Sequence, residues 1–430
     1  MTWICESWES GVIIRAGEEE AGERMSEVAT MQQDKSSPLK HVGQDLAEEL
    51  DRISDDEENC PPSSVMEDRI WGVLPQELQD SLLASLPIVH IFRMRTVCKR
   101  FQSLTLSPSF LSSWTALSTQ EHWLLMFHRQ DTAPWMSMAA YDSNVKQWYN
   151  LPVLRPFFPK QGNVSLASSQ GLLCIASVEE TQTLVVWNPL TNLSRELPGM
   201  IIKNTMCVGL VVDNSTKEFI IVVVGQTEDC LQTTEVYDST LESWKRMQTS
   251  LIEWYGCYSD PLVYCNGCFH VISAHKNGPF RLCLVSYDLK QGVWKEKCKL
   301  PITAGLSFAS PSLFEVKPGR LFLAERTFPG HNQAYAIHLW ELVQSGSNVE
   351  WIQIAAVPPE IIEELRREFW VSSYFKCQAI GNLVCFIGNN DFRGLVYDLS
   401  WKAWHWLPRR RERFFDHVVS FEPRLDMLSA

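Results

Sequence analysis

The sequence predicts a mainly β chain: a six-bladed β-propeller, preceded by a small α-helical module and a disordered, acidic N-terminal segment. Three observations carry this expectation. An Asp followed by a Trp six residues later recurs four times between Tyr141 and Trp404, with two degenerate copies in the gaps. The first copy lacks one strand, and an unpartnered strand-like stretch lies near the C-terminus. The first 68 residues hold 18 acidic and 5 basic side chains and the rest 33 of each, so the net charge of −13 lies entirely in the leader.

Residues 1–65 show no sustained apolar period and are dominated by Glu18–Glu20, Asp55–Glu58 and the Pro61-Pro62-Ser63-Ser64 break. Such a segment buries too little apolar surface to offset its ordering entropy, so disorder is expected. Ser54 before Asp55-Asp56-Glu57 has the composition of an acidophilic kinase site, set against a plain solvated tail. The balanced charge of the remainder speaks against a nucleic-acid-binding body, which needs clustered Lys and Arg. The run Arg409–Arg413 reads as a solvated turn rather than a nuclear signal. Glu6 and Glu9 interrupt any secretory apolar region, and Phe219–Val224 is too short to span a bilayer. Thirteen cysteines, an odd number without framework spacing, fit reduced thiols. The expected location is the nucleus, the cytoplasm or both, with neither membrane nor nucleic acid as a partner.

Residues 66–114 read as the helical module. Pro75 suits a first helical turn, where no N–H is needed. Leu78, Leu82 and Leu86 follow at i, i+4 and i+8 until Pro87 ends the run. Ile88, Ile91 and Phe92, then Val97, Phe101 and Leu104, repeat the helical spacing. Three helices this short bury little surface, so their apolar faces are expected to be completed by something else. The elements Leu74-Pro75-x-x-Leu78, Leu86-Pro87 and Arg95-x-Val97-Cys98-Lys99-Arg100-Phe101 resemble an F-box, with Phe101 where plant members often carry Trp. That resemblance implies docking on the Skp adaptor of SCF (Skp–cullin–F-box) ubiquitin ligases and, through it, on a cullin. It implies adaptor contacts from Leu74, Pro75, Leu78, Leu82, Leu86, Pro87, Val97, Cys98 and Phe101.

From residue 115 to 430 short strands replace helices. Tyr141-Asp142 leads to Trp148, Tyr237-Asp238 to Trp244, Tyr287-Asp288 to Trp294 and Tyr397-Asp398 to Trp404, and Leu-Pro closes three of the copies. Trp187-Asn188-Pro189 and Trp340-Glu341 mark the degenerate ones. A repeat of this length suits four-stranded propeller blades. The fourth copy shows its strands directly: Pro261–Tyr264 and Cys268–Ser273 flank an Asn266-Gly267 hairpin turn, and Arg281–Tyr287 and Val293–Cys298 follow. The first copy has only Trp123–Phe127, Met136–Tyr141 and Gln147–Asn150; residues 418–421 should supply its missing strand and remove the open edge. The repeated Trp should wedge between blades.

With Met66–Gly72 and Ser420–Leu425, the pattern resembles the plant F-box/kelch-repeat proteins over residues 66–430, and within them most the leaf-curling-responsiveness type. It departs from kelch propellers in lacking a Gly-Gly doublet; Trp-Asp-repeat propellers fit worse, because no Trp-Asp dipeptide occurs. The resemblance implies a substrate receptor that is itself no enzyme and needs no cofactor, presenting a protein substrate for ubiquitination and degradation. A scaffold without a degradation role stays open.

Cys265-x-x-Cys268 with His270 and His275 has zinc-ligand types, but the cysteines flank a hairpin turn and are expected to face each other across it. No Gly-rich phosphate loop or nucleophile elbow is present. The turns between first and second and between third and fourth strands are tight, whereas Gln248–Asp260, Ser273–Pro279, Glu325–Gln333 and Pro358–Ser372 are long and share the opposite face. Long loops on a rigid scaffold are where recognition usually sits. Their Trp254, Tyr255, Tyr258, Arg326, Phe328, His331, Arg366, Phe369 and Trp370, with Arg393, are residue types enriched at hot spots and form the candidate substrate face. Pro359–Phe369 reads as a short helix, either exposed for recognition or packed on the propeller.

Overall fold

The computed structural model describes residues 68–95, 97–117, 122–129, 136–151, 164–177, 184–247, 261–274, 282–301, 311–316, 318–327, 336–346, 348–368, 375–388, 393–410 and 417–428. The acidic leader lies outside them. The chain divides into two compact units, one ending at Val73 and the other running from Leu74 to Ala430. In the first, the described part is helix α1 (Asp68–Val73).

The second unit opens with four short helices: α2 (Gln76–Ala84), α3 (Ile88–Met94), α4 (Lys99–Ser103) and α5 (Pro108–Leu117). Pro75 and Pro87 stand at the N-cap positions of α2 and α3, just before the first helical turn. The carbonyl of each accepts from the next turn, that of Pro75 from Leu78 N–H at 3.1 Å and that of Pro87 from His90 N–H at 2.9 Å. Cys98 caps α4, its Sγ accepting from Phe101 N–H at 3.5 Å. The sequence reading saw α5 only as a connector. Phe110 and Trp114 are buried one helical turn apart, so α5 completes the module's core with Leu83, Ala84, Ile88, Ile91 and Leu104.

Six antiparallel sheets of four strands follow. Blade one combines His417–Phe421 with Trp123–Arg129, Met136–Asp142 and Gln147–Leu151, in that order. Trp123 lies opposite both Asp142 and Phe421, so the chain enters the blade at the end that carries its tight turn. Ser143 Oγ donates to the His122 carbonyl there, at 3.0 Å. The innermost strands of blades two to six are Val164–Ser169, Asn204–Val212, Val263–Cys265, Ser312–Val316 and Phe375–Ile380. With His417–Phe421 they neighbour one another in a closed ring. The closure read from the sequence is the one found.

Apolar side chains fill wedges between neighbouring blades, for example Val208, Leu210 and Ile221 of blade three against Leu172, Cys174 and Val186 of blade two. Close approach fixes some positions: a Cβ on Gly209 would stand 2.6 Å from the Phe269 ring of the next blade. Tyr141, Tyr237, Tyr287 and Tyr397 sit directly across from Trp148, Trp244, Trp294 and Trp404, with ring centroids 4.8–5.2 Å apart. The indole N–H then reaches the preceding blade. Trp148 donates to the Pro408 carbonyl at 3.0 Å, Trp244 to that of Pro198 at 2.8 Å and Trp294 to Thr234 Oγ1 at 3.0 Å. The Leu-Pro punctuation is therefore an acceptor for the neighbour's tryptophan.

In five of the six repeats the carboxylate or amide before the turn accepts backbone N–H groups two and three residues on. Asp288 does so from Lys290 at 2.9 Å and Gln291 at 3.0 Å, and Asn188 plays the part in blade two. The residue four positions on has positive φ: Lys146, Asn192, Glu242, Gly292 and Lys402. Such turns suit Asp and Asn, whose side chains bond their own backbone. Blade five departs from this pattern, with longer strands Ala336–Ser345 and Asn348–Ala356.

Candidate functional site

Helix α2 is partly inverted. Its buried side chains are Gln79, Asp80, Leu83 and Ala84, while Leu78 and Leu82 are 52% and 48% exposed. A helix in a small soluble module is expected to turn its leucines inward, and the sequence spacing alone reads as that. Instead the polar pair is satisfied internally. Ser109 Oγ donates to Asp80 Oδ2 at 2.8 Å and Gln76 Nε2 to Asp80 Oδ1 at 3.1 Å, with Arg100 Nη2 3.6 Å from the same oxygen. Gln79 accepts from Arg100 Nη1 and donates through Nε2 to the Leu74 carbonyl at 2.8 Å. Buried polar groups are tolerable when paired in this way.

All nine residues expected to meet an adaptor remain at the surface. Pro75, Leu78, Leu82, Pro87, Val97 and Cys98 are exposed, and Leu74, Leu86 and Phe101 are half-buried. Val97 is 69% exposed. The module thus keeps two separate apolar sets, one forming its own core and one left open. Gln79, Asp80, Arg100 and Ser109 were missed by sequence reasoning. The spacing of Gln76 and Asp80 at i, i+4 was the available signal.

The candidate substrate face fares differently. Trp254, Tyr255, Tyr258, Phe328, His331, Phe369 and Trp370 lie outside the described residues, as does the side chain of Arg366. Arg326 is a correction. It belongs to the strand Arg320–Thr327 rather than a loop and is 4% exposed, with its guanidinium 5.9 Å from the Phe375 ring centroid. Its strand continues further than the turn signals suggested, and burial removes it from an open recognition surface. Ser273 likewise lies in a strand, Cys268–Ala274. Arg393 is half-buried, 3.5 Å from Glu364 and 5.9 Å from the centroid of the Trp406 ring. Its partner Glu364 lies on helix α6 (Pro359–Glu368), which packs on the propeller through buried Ile362 and half-buried Ile361 and Leu365. Packing, not free display, is the outcome for this helix.

His270 is accounted for without a metal. Its Nε2–H donates to the Cys265 carbonyl at 3.2 Å, so Nδ1 accepts from Ser286 Oγ at 2.7 Å. Both ring nitrogens are used. Burial, opposed in part by the bond to Cys265, pulls its pKa down to about 4. Burial also pushes the Cys265 thiol up to about 12, with Glu315 adding to the rise, away from the thiolate that binds metal. His275 lies outside the described residues.

Beyond the closing strand, the tail continues across two blades. Asn188 Nδ2 donates to the Arg424 carbonyl at 2.9 Å, Asp426 lies 2.6 Å from both Arg424 Nη2 and Lys217 Nζ, and Met427 is buried between blades two and three. Burial would raise the Asp426 pKa, but hydrogen bonds from Arg424 and Lys217 outweigh it and hold it at about 2.

Residues 119–400 match the F-box associated beta propeller domain, and residues 71–113 match the F-box domain. The chain belongs to the F-box-associated propeller family. Within it, Protein UNUSUAL FLORAL ORGANS of Arabidopsis thaliana is 27% identical, with 80% of each chain covered. F-box only protein 13 of the same plant is 26% identical over 87% of this chain and 89% of its own. An Arabidopsis F-box/kelch-repeat protein is 24% identical over 80% and 83%. The open leucines of α2 are therefore the surface of an F-box, and the six blades are its associated propeller.

Proposed function

We propose that this chain is the substrate-recognition subunit of an SCF-type ubiquitin-protein ligase. Its F-box binds a Skp-type adaptor and, through it, a cullin; its propeller binds a protein substrate that is then ubiquitinated and degraded. The observation that carries this reading is the inverted α2, where Leu78 and Leu82 are open although the module has a filled core of its own. An apolar set left open on a folded unit marks an interaction site. The chain's role in the reaction is positional, holding a target near a charged conjugating enzyme; it is not itself the catalyst. Nucleus and cytoplasm are the compartments where such a complex acts. The leaf-curling-responsiveness type is the finer assignment we favour, on the motifs at residues 66–72 and 420–425.

Affinity purification of the tagged full chain from plant cells tests the proposal. Adaptor and cullin should accompany the wild type and be lost with Leu78→Ala/Leu82→Ala, while proteins captured by both forms should have longer half-lives in cells carrying the variant. Unchanged half-lives with adaptor and cullin still captured by the wild type would favour a scaffold without a degradation role.

A further inference from the structure

Gln79 and Asp80 of α2 are far more deeply buried than Leu78 and Leu82. Asp80 is fully buried, and its carboxylate gathers three elements: Gln76 on its own helix, Arg100 on α4 and Ser109 at the start of α5. Gln79, 6% exposed, extends the network from Arg100 to the Leu74 carbonyl, just ahead of Pro75 and the helix start. The hydrogen bonds from Gln76 and Ser109 are directional. A helix held by leucines packing on leucines can rotate or slide at small cost, because hydrophobic contact has no preferred angle. A carboxylate with hydrogen-bond donors on its own helix and on α5, and a guanidinium beside it on α4, favours one rotation of α2.

That rotation decides which side chains face outward. Residues 79 and 80 point in, so 78 and 82, on adjoining positions of the helical wheel, point out. A rotation of about 100°, one residue on the wheel, would bring Leu82 into the core and Leu78 to its edge, and carry Asp80 and Ala84 to solvent. By hydrophobic burial alone that rotated state is the better one, so the open state needs an opposing constraint.

We infer that Asp80, with Ser109, Arg100 and Gln79, is a positioning network that sets the rotation of α2 and so presents the leucines Leu78 and Leu82 to the adaptor. None of the four needs to touch the adaptor for this. The inference rests on the adaptor-docking reading and adds to it a specificity device: buried polar groups that fix register rather than raise stability. Replacing a whole buried ion pair by apolar residues of similar size is often neutral or stabilising, which separates this role from a merely structural one.

The test uses the full chain, a purified Skp-type adaptor titrated calorimetrically, and a melting curve on each sample. Asp80→Leu, which leaves the partly exposed Arg100 and exposed Ser109 to solvent, should change the melting temperature little, yet weaken adaptor binding by about tenfold, the factor that 1.4 kcal/mol represents. Asp80→Asn, which keeps the shape and the acceptor for Ser109, should restore binding to within about threefold of wild type, a loss under 1 kcal/mol. Should Asp80→Leu fail to fold, Ser109→Ala, at an exposed position, is the second variant, with weakened binding expected at an unchanged melting temperature. Binding by Asp80→Leu, or by Ser109→Ala if that is the variant used, equal to wild type would overturn the inference. Leu78→Ala/Leu82→Ala is the control: if it too binds like wild type, the docking reading itself fails, and the positioning role with it.

Discussion

The F-box and the propeller use apolar residues in opposite ways. In the propeller, Val, Ile and Leu fill the wedges between blades, and Asp or Asn stands at the tight turns, where its side chain bonds backbone. In the F-box helix α2 the acid and amide are inside, while two leucines are half in water. The first arrangement is complete in itself and turns apolar burial into stability. The second forgoes burial and keeps the apolar surface for a partner. The same residue type thus stabilises the fold in one region and stands ready for binding in the other.

Removing residues 417–430 should break the propeller outright. The deletion takes the innermost strand of blade one, exposing the edge of Trp123–Arg129, together with buried Met427 and the Arg424–Asp426–Lys217 cluster. Loss of soluble monomer and of a cooperative melt is expected, whereas deletion of residues 1–60 should leave both intact. Within the F-box, Leu83→Ala should cost about 2–5 kcal/mol, as for a fully buried leucine. Leu78→Ala and Leu82→Ala should each stay within about 0.5 kcal/mol of wild type in denaturant titrations, as surface positions do. Equal losses at positions 78 and 83 would erase the contrast between inside and outside.

His270 adds a pH dependence to the propeller. Its folded pKa, about 4, lies below the ordinary value of 6.5. As pH falls from 6.5 the unfolded chain takes up a proton that the folded chain refuses. The neutral ring's contribution is whole above that pH and is lost progressively down to about 4, amounting to about 3 kcal/mol in the limit. Melting temperature followed over that range should show the slope, and His270→Gln should flatten it. A smaller effect in the propeller is expected from Trp148→Phe, which keeps the ring against Tyr141 but removes the N–H bonded to Pro408. A loss of about 1 kcal/mol, one hydrogen bond, is expected.

The blade count and the Asp-to-Trp turns were legible because each is a local pattern, period two along strands, an Asx turn and a Trp at a fixed step, and the closing strand because the first copy is one strand short. The inversion of α2 was not. Leu78, Leu82 and Leu86 at i, i+4 and i+8 say that one face is apolar, and nothing in that spacing says whether the face points in or out. The deciding residues are Arg100 and Ser109, 20 and 29 positions beyond Asp80, and their convergence is tertiary. Arg326 failed as a loop residue for a related reason. Strand ends are set by pairing, here Arg326 opposite Ile337, which its own sequence neighbourhood does not announce. The tail beyond Phe421 was read only as a family motif, yet it ties blade two to blade three.

The most direct test of the inverted helix as a dock is calorimetric titration of a purified Skp-type adaptor into the full-length wild type and Leu78→Ala/Leu82→Ala, with melts on the same samples. Binding is predicted to weaken by about a hundredfold, roughly 2.7 kcal/mol for two hot-spot side chains, with the melting temperature unchanged. Undiminished binding by the double variant would contradict the account.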